Sequence, residues 1–204
     1  MTRTPTLLYL HGLNSSPDSR KASQLSAAMA RMGLTEHLRV PALHHHPRQA
    51  IAQLEAHIAE LGQPVLVGSS LGGYYATHLA ERHGLRALLI NPAVNPHHRF
   101  DGYLGPQTNL YSGEVWTLTN DHVAALAELE VPPPQDAERY QIWLQTGDET
   151  LDYRHAADFY RSCALRIQAG GDHGFQGFAE RLPALLAFAG FDPALWLGLD
   201  FSDS

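Results

Sequence analysis

The sequence feature that most constrains the fold is an apolar strand pattern that runs directly into a glycine-serine turn. The predicted strand Pro64–Gly68 contains a Val-Leu-Val run, which is typical of a buried strand. The segment Gly68–Gly72 then reads G-x-S-x-G with Ser70 at its centre, and a helix pattern begins at about Leu71. A sharp strand-to-helix turn presses both flanking positions against neighbouring backbone, so both need glycine. The motif therefore predicts a strained turn that presents the Ser70 hydroxyl above a sheet.

Short apolar runs alternate with amphipathic stretches along most of the chain, which indicates a parallel sheet with helices on both faces. The predicted strands are Thr6–Leu10, Leu38–Ala42, Pro64–Gly68, Ala87–Ile90, Tyr140–Gln145 and Leu165–Ala169. The first predicted helix begins at Ser16-Pro17 and stops at Gly33. The other predicted helices are Arg48–Leu61, Leu71–Arg82, Tyr153–Arg161 and Gly177–Phe188. We therefore expect an α/β fold, as a single domain over residues 1–204 with a mostly parallel central sheet.

The alternation breaks from about Asn95 to Glu138, a stretch with several Gly, Pro and aromatic residues. Its clearest helix pattern lies near Asn120–Leu129, and three consecutive prolines from Pro132 precede the next strand. We interpret residues 95–138 as a small lid-like insertion over the strand ends. The tail from Trp196 to Ser204 gives no clear pattern.

Composition excludes several function classes. The chain has 14 basic and 21 acidic residues, a net charge of -7, and no Lys/Arg-rich run, so we expect no nucleic-acid partner. The single cysteine, Cys163, can form no internal disulfide, which fits a reducing compartment. The apolar run Leu7–Leu10 is too short for a signal peptide, and no apolar stretch could span a bilayer. We therefore predict a cytoplasmic location, and the sequence leaves the oligomeric state open.

A nucleophilic serine needs a base, and position selects one among 13 histidines. In this type of fold the order is Ser, then Asp or Glu, then His. His173 lies in the glycine-rich loop Gly170–Gly174 after the last predicted strand, so we predict it as the base. His155 falls inside a predicted helix and is interpreted as a solvated side chain.

The predicted acid is Asp148, the first acidic residue after the strand Tyr140–Gln145, which would hold His173 in the correct tautomer. Glu149, Asp152 and Asp172 are rivals, and Asp172 is disfavoured because it adjoins His173 in sequence. The alternative for Asp148 is that it simply caps the following helix.

Two backbone N–H groups are candidates for an oxyanion hole. Leu71 would begin a helix immediately after Ser70, and Leu13 lies in the His-Gly turn after the first strand. His11 is expected to orient that turn through hydrogen bonds. Asn14 is predicted either to line the site or to serve as a plain turn residue.

No metal or cofactor site is predicted. The runs His44–His46 and His97–His98 lack Cys or acidic partners at ligand spacing, so we interpret both as solvated loops. Nucleotide-binding glycine motifs are absent from the sequence. Tyr74 and Tyr75 are expected to pack in the core, although one of them could border an acyl pocket.

The chain resembles the YqiA-type small bacterial esterases in the order and content of its motifs. The motifs are Y-L-H-G-L-N-S-S-P at Tyr9–Pro17, G-S-S-L-G-G-Y-Y at Gly68–Tyr75, N-P-A at Asn91–Ala93, T-G-D-E-T-L-D-Y at Thr146–Tyr153 and G-G-D-H-G-F at Gly170–Phe175. The resemblance covers about Leu7 to Phe188. It implies a compact α/β hydrolase that acts on carboxylic esters, with Ser70 as nucleophile, Asp148 as acid and His173 as base.

The function predicted from these observations is a cofactor-independent serine esterase that forms an acyl-enzyme on small ester or thioester substrates. Two alternatives remain open at this point. The same three residues could serve an acyltransferase or an acyl-CoA thioesterase, or the chain could be a catalytically silent binding protein with a hydrolase-like fold.

Overall fold

The structure, a computed structural model, describes residues 4–201, and within that range six strands form one parallel sheet. The strands are β1 Leu7–Leu10, β2 Leu38–Arg39, β3 Val65–Ser69, β4 Ala87–Ile90, β5 Gly105–Thr108, β6 Val115–Leu118, β7 Tyr140–Gln145 and β8 Ala164–Gln168. The sheet order is β2-β1-β3-β4-β7-β8, and every neighbouring pair is parallel. The predicted α/β class is confirmed. Both ends of the predicted domain, including residues 202–204 of the tail, lie outside the described range.

Helices cover both faces of this sheet. They are α1 Arg20–Arg31, α2 Pro47–Leu61, α3 Leu71–His83, α4 Asn120–Ala127, α5 Tyr153–Phe159 and α6 Phe178–Ala189. Successive side chains of a strand point to opposite faces, and β1 shows the division. Leu7 and Tyr9 join a core cluster with α1 and α6, while Leu8 and Leu10 join a second cluster with α2 and α3. The four central strands β1, β3, β4 and β7 are buried on both faces, which explains their apolar runs, whereas the edge strand β8 is largely exposed.

Two predicted boundaries are wrong. The first helix begins at Arg20 rather than at Pro17, because Ser16 starts a turn in which its carbonyl accepts the Ser19 N–H at 3.1 Å. The predicted strand Leu38–Ala42 pairs with β1 only at its first two residues. Pro41 then lacks the N–H that a ladder requires, so the edge strand stops before it.

The segment predicted as an insertion contains an element that sequence patterns did not indicate. The strands β5 and β6 form an antiparallel hairpin that is separate from the main sheet. Trp116 and Leu118 of β6 are buried, whereas Val115 is exposed, so the hairpin presents one face inward. The following helix, α4, places Leu126 against the core cluster that contains α2 and α3. The helix predicted at Asn120–Leu129 is confirmed to within two residues.

Glycines allow the helix α3 to start in contact with two strands. A Cβ atom on Gly72 would overlap the carbonyl oxygen of Leu10, at the end of β1. A Cβ atom on Gly68 would lie 2.6 Å from the carbonyl oxygen of Gly72, and one on Gly73 would lie 2.7 Å from the Pro92 side chain. The turn between β3 and α3 is therefore as crowded as the motif predicted, and only hydrogen atoms fit at these positions.

The substitution Gly72→Ala tests this close approach. Backbone, rather than a flexible side chain, occupies the space of the new methyl group, so we expect the free energy of unfolding to fall by about 3 kcal/mol. Urea denaturation measures the change. The matched control is Gly102→Ala, because a Cβ atom there meets no heavy atom within 4 Å. Equal stability of the two variants would show that α3 does not approach β1 so closely.

Candidate active site

Ser70 occupies a strained backbone conformation at the turn between β3 and α3. Its φ is 55° and its ψ is -122°, a region that residues other than glycine rarely adopt. Four hydrogen bonds hold this backbone. The Ser70 N–H donates to Ile90 O at 3.1 Å, and the Ser70 carbonyl accepts from Ala93 N at 3.0 Å, Gly73 N at 2.9 Å and Tyr74 N at 3.4 Å. The neighbouring strand β4 and the start of α3 therefore fix the position of the hydroxyl.

The imidazole of His173 lies between Ser70 and Asp148. Its Nε2 is 3.0 Å from Ser70 Oγ, and its Nδ1 is 2.9 Å and 2.8 Å from the two carboxylate oxygens of Asp148. The three residues, separated by up to 103 positions, meet above the carboxyl ends of β3, β7 and β8. Because the Asp148 carboxylate accepts from Nδ1–H, Nε2 carries the lone pair that faces the Ser70 hydroxyl.

The Asp148 carboxylate is enclosed by backbone. Its side chain is 2% exposed, and its Oδ1 accepts the N–H groups of Thr150 at 2.9 Å and Leu151 at 2.8 Å. These bonds satisfy the carboxylate without neutralising it, so the negative charge remains beside the imidazole. The capping role considered for Asp148 belongs to Asp152 instead, which caps α5.

The rival acids have other partners. Glu149 accepts the backbone N–H of His173 at 3.0 Å, so it holds the loop rather than the ring. Asp152 forms a bidentate pair with Arg154, and Asp172 accepts from Gln176 Nε2 at 2.9 Å. His155 is exposed, as expected, but it also lines the cavity described below.

Two buried amides that sequence reasoning missed fix the His173 loop. Gln145, fully buried at the end of β7, accepts the N–H groups of Asp172 and Gln176 and donates to the Gln176 carbonyl at 2.7 Å. Asn91, at the end of β4, accepts the Gln145 N–H and donates to the Asp172 carbonyl at 3.1 Å. The available signal was a polar residue closing each of two otherwise apolar strands.

The turn after β1 packs directly against Ser70. A Cβ atom on Gly12 would lie 3.2 Å from Ser70 Cβ, so the backbone that leads to Leu13 passes beside the Ser70 side chain. His11 fixes this turn: its Nε2 accepts the Leu43 N–H at 3.1 Å and its Nδ1 donates to the Gly12 carbonyl at 3.0 Å. Burial lowers the pKa of His11, which favours the neutral ring that these two bonds require.

Asn14 connects the turn after β1 to the insertion. Its side chain accepts from Trp116 Nε1 at 2.9 Å and donates to Gln107 at 3.1 Å, and its carbonyl accepts the Leu110 N–H at 3.0 Å. Asn14 has a φ of 53°, a left-handed conformation that asparagine tolerates. Its role is therefore to hold the hairpin beside the site.

A cavity of about 470 Å³ opens over Ser70 and His173, and both Leu13 and Leu71 line it. Most of its lining is apolar, and the insertion supplies a large part of that surface. The main apolar side chains are Val94, Phe100, Tyr103, Leu110 and Leu151. Tyr74 and Tyr75 are buried elsewhere in the core, as expected, and Tyr74 donates to the Leu126 carbonyl. A cavity of this size and polarity suits a small organic ligand.

The prediction of a solvated loop at His44–His46 is wrong. His45 stacks on Trp116 with ring centroids 4.8 Å apart, and His46 Nε2 lies 2.8 Å from the Asp121 carboxylate. Arg48 extends this contact by pairing with both Asp121 and Glu128 of the insertion. The Arg48 guanidinium, together with His46, lowers the pKa of the Asp121 carboxyl. The histidines therefore dock the insertion onto the segment before α2 and its first turn.

Only one group of side chains within residues 4–201 has the spacing of a metal site. His97, His98 and Glu130 place one potential ligand atom each within 4.8 Å of one another. The solvated-loop prediction holds for His98 but is wrong for His97, whose side chain is 9% exposed and lies 3.4 Å from Glu130. None of the three is among the described residues that line the cavity. The absence of a metal or cofactor stays a prediction.

The fold is that of the α/β hydrolases, and solved structures share it over most of their length. Mouse α/β hydrolase domain-containing protein 10 has a TM-score of 0.70 at 14% identity, covering 92% of this chain and 90% of its own. The esterase domain of a Rhodothermus marinus protein has a TM-score of 0.61 at 16% identity, and the match covers 93% of this chain and 88% of that domain.

The family is defined by sequence. The chain belongs to the Uncharacterised protein family (UPF0227), whose profile matches residues 6–190. A UPF0227 protein of Shewanella woodyi is 27% identical over 191 residues, which are 89% of this chain and 98% of the relative. This membership agrees with the resemblance to the YqiA-type esterases. Within residues 4–201, no helix has both the length and the apolar character to cross a membrane, and the cytoplasmic location stays a prediction.

The substitution Gln145→Met tests the clamp on the His173 loop. It keeps the shape of the side chain but leaves two backbone N–H groups and one carbonyl without partners in a buried region. We expect the free energy of unfolding to fall by about 3 kcal/mol and the Asp172 and Gln176 amides to exchange faster. Urea denaturation and hydrogen exchange measure the two effects. The exposed Gln63→Met is the control, and a Gln145→Met variant as stable as that control would contradict the clamp.

Proposed function

We propose that this protein is a serine hydrolase of carboxylic esters, with Ser70 as nucleophile, His173 as general base and Asp148 as the residue that orients the base. The observation that carries the proposal is the continuous hydrogen-bonded chain from Ser70 Oγ through His173 to Asp148, opening into an apolar cavity. An esterase domain among the structures with this fold adds support.

The first step is attack on the ester carbonyl. His173 Nε2, 3.0 Å from Ser70 Oγ, takes the hydroxyl proton as Oγ bonds to the carbonyl carbon. The imidazolium that forms is stabilised by the Asp148 carboxylate on Nδ1. The negative charge of the tetrahedral intermediate rests on the former carbonyl oxygen, for which we propose the N–H groups of Leu13 and Leu71 as donors. Leu71 is the first residue of α3, where helix dipoles favour negative charge.

The second half of the cycle releases both products. The intermediate collapses as His173 returns its proton to the leaving alcohol, which leaves an acyl group on Ser70. His173 then deprotonates a water molecule that attacks this acyl group, and the acid departs as Ser70 regains its proton. Every proton moves among Ser70, His173, water and the leaving group, so the proposed cycle involves no metal or organic cofactor. A thioester would follow the same path with a thiol as leaving group.

Removing the nucleophile is the direct test. We expect Ser70→Ala to abolish hydrolysis of p-nitrophenyl butyrate and labelling by a fluorophosphonate probe, while circular dichroism stays unchanged. Mass spectrometry of the labelled wild-type protein should place the probe on Ser70. The control is Ser162→Ala, because Ser162 is an exposed serine remote in sequence from the turn. Labelling that persists in Ser70→Ala would reject the assignment, and a folded wild-type protein that never labels would favour a silent binding protein.

The role of Asp148 has its own prediction. Asp148→Asn keeps the size of the side chain but can donate to Nδ1, which leaves the proton on Nε2 and removes the base. We expect kcat to fall by about 10³- to 10⁴-fold, with KM changing little. Kinetics on p-nitrophenyl butyrate, compared with butyryl-CoA, measure this loss and also separate ester from thioester preference. An Asp148→Asn variant with wild-type kcat would overturn the role of this carboxylate.

A further inference from the structure

The cavity contains the one lysine of the 204-residue sequence, Lys21. It is the second residue of α1, and its Nζ donates to the Gly174 carbonyl at 2.8 Å. Gly174 directly follows His173, so the ammonium group lies on the side of the cavity that carries the imidazole. All 13 other basic residues counted in the chain are arginines, which are distributed over the rest of the sequence.

The positive charge of Lys21 has no carboxylate partner within residues 4–201. Its hydrogen bond to Gly174 uses one of three N–H groups, and a neutral carbonyl does not balance the charge. Asp148 and Asp172 influence it only through longer-range electrostatics. Asp148 is bound to His173, and Asp172 is bound to Gln176.

The surroundings of Lys21 disfavour an uncompensated cation. Burial is the main cause that lowers the pKa of Lys21 to about 8; Asp172 and Asp148 act against it, and the neighbouring Arg20 acts with it. The first turn of α1 also contains no acidic residue, although helix dipoles favour anions at that end. A bound anion would relieve both the desolvation and the repulsion, since it would supply the missing opposite charge.

The charged side chains that line the cavity include two cations, Lys21 and Arg99. Arg99 is exposed, and its side chain has no hydrogen bond or ion pair in the described part of the chain. Asp152 is the one carboxylate among the described lining residues, and Arg154 already pairs with it at 2.7 Å. The net charge of the chain is -7, so an excess of cations among the lining residues runs against the overall composition. A local field of this kind attracts an anionic ligand.

We propose that Lys21 binds a carboxylate on the leaving group, so that the preferred substrates are esters whose alcohol or phenol portion is an anion. This inference rests on the function proposed above. In that cycle His173 hands its proton to the leaving oxygen, so the leaving group departs on the imidazole side, where Lys21 lies. Lys21 is thus a specificity-determining residue, and the apolar part of the cavity is left for the acyl chain.

Two matched substrates test the proposal. The ester 3-acetoxybenzoate carries a carboxylate on its leaving phenol, and 3-acetoxybenzamide carries a neutral amide at the same position. We expect the wild-type protein to have the higher kcat/KM for the carboxylate substrate. Lys21→Met should lower the ratio of kcat/KM for the carboxylate to kcat/KM for the amide by about tenfold, because one charge-assisted hydrogen bond is lost. Lys21→Arg should retain most of the preference. The control Arg161→Met removes a positive charge from an exposed residue that is not among the described lining residues, and it should leave the ratio unchanged.

The ratio of the two kcat/KM values distinguishes binding of the carboxylate by Lys21 from a purely structural role of Lys21. If Lys21→Met lowers both values equally, Lys21 only braces the loop through Gly174, and the proposal is wrong. A preference that appears only when the carboxylate is moved to the acyl side, as in the mono-p-nitrophenyl ester of glutaric acid, would also overturn it. Failure of the proposed function looks different, because wild-type protein would then hydrolyse neither substrate and fluorophosphonate would not label Ser70.

Discussion

The close approach of α3 to the end of β1 is the contact on which the site depends. Two backbones touch where Gly72 meets the Leu10 carbonyl, and no side chain could fit between them. This contact forces the chain to turn sharply after β3, and Ser70 takes the strained conformation that the turn requires. Four backbone hydrogen bonds, to β4, to Ala93 just after it and to the first turn of α3, maintain this conformation. The position of the hydroxyl is thus a property of the sheet rather than of a flexible loop.

The partner of Ser70 is held in a different way. His173 lies on a glycine-rich loop, and the buried side chains of Gln145 and Asn91 bind the backbone of that loop. Side-chain amides can bridge successive N–H and carbonyl groups that a strand would otherwise pair. Two neighbouring strand ends, those of β4 and β7, therefore position the imidazole, and Glu149 adds a third attachment at the His173 N–H.

Sequence patterns predict the local turns and the order of elements well, and they fail where distant segments meet. The G-x-S-x-G turn, the His173 loop and Asp148 follow from strand ends and glycines, which are local signals. The burial of His45 depends on Trp116, 71 positions away, so no neighbouring residue could indicate it. The sequence analysis did not identify Lys21 as a site residue for the same reason, because its surroundings come from the distant loop of His173. The hairpin β5–β6 was missed because its exposed face and its proline obscure the strand pattern.

Asn14 connects the insertion to the turn that lies against Ser70. Its three hydrogen bonds reach both strands of the hairpin and the loop between them, while the same short turn carries Leu13 past Ser70. A hairpin that tilts outward must therefore either break these bonds or pull the turn with it. The position of the hairpin and the geometry of the turn beside the serine hydroxyl are mechanically linked through Asn14.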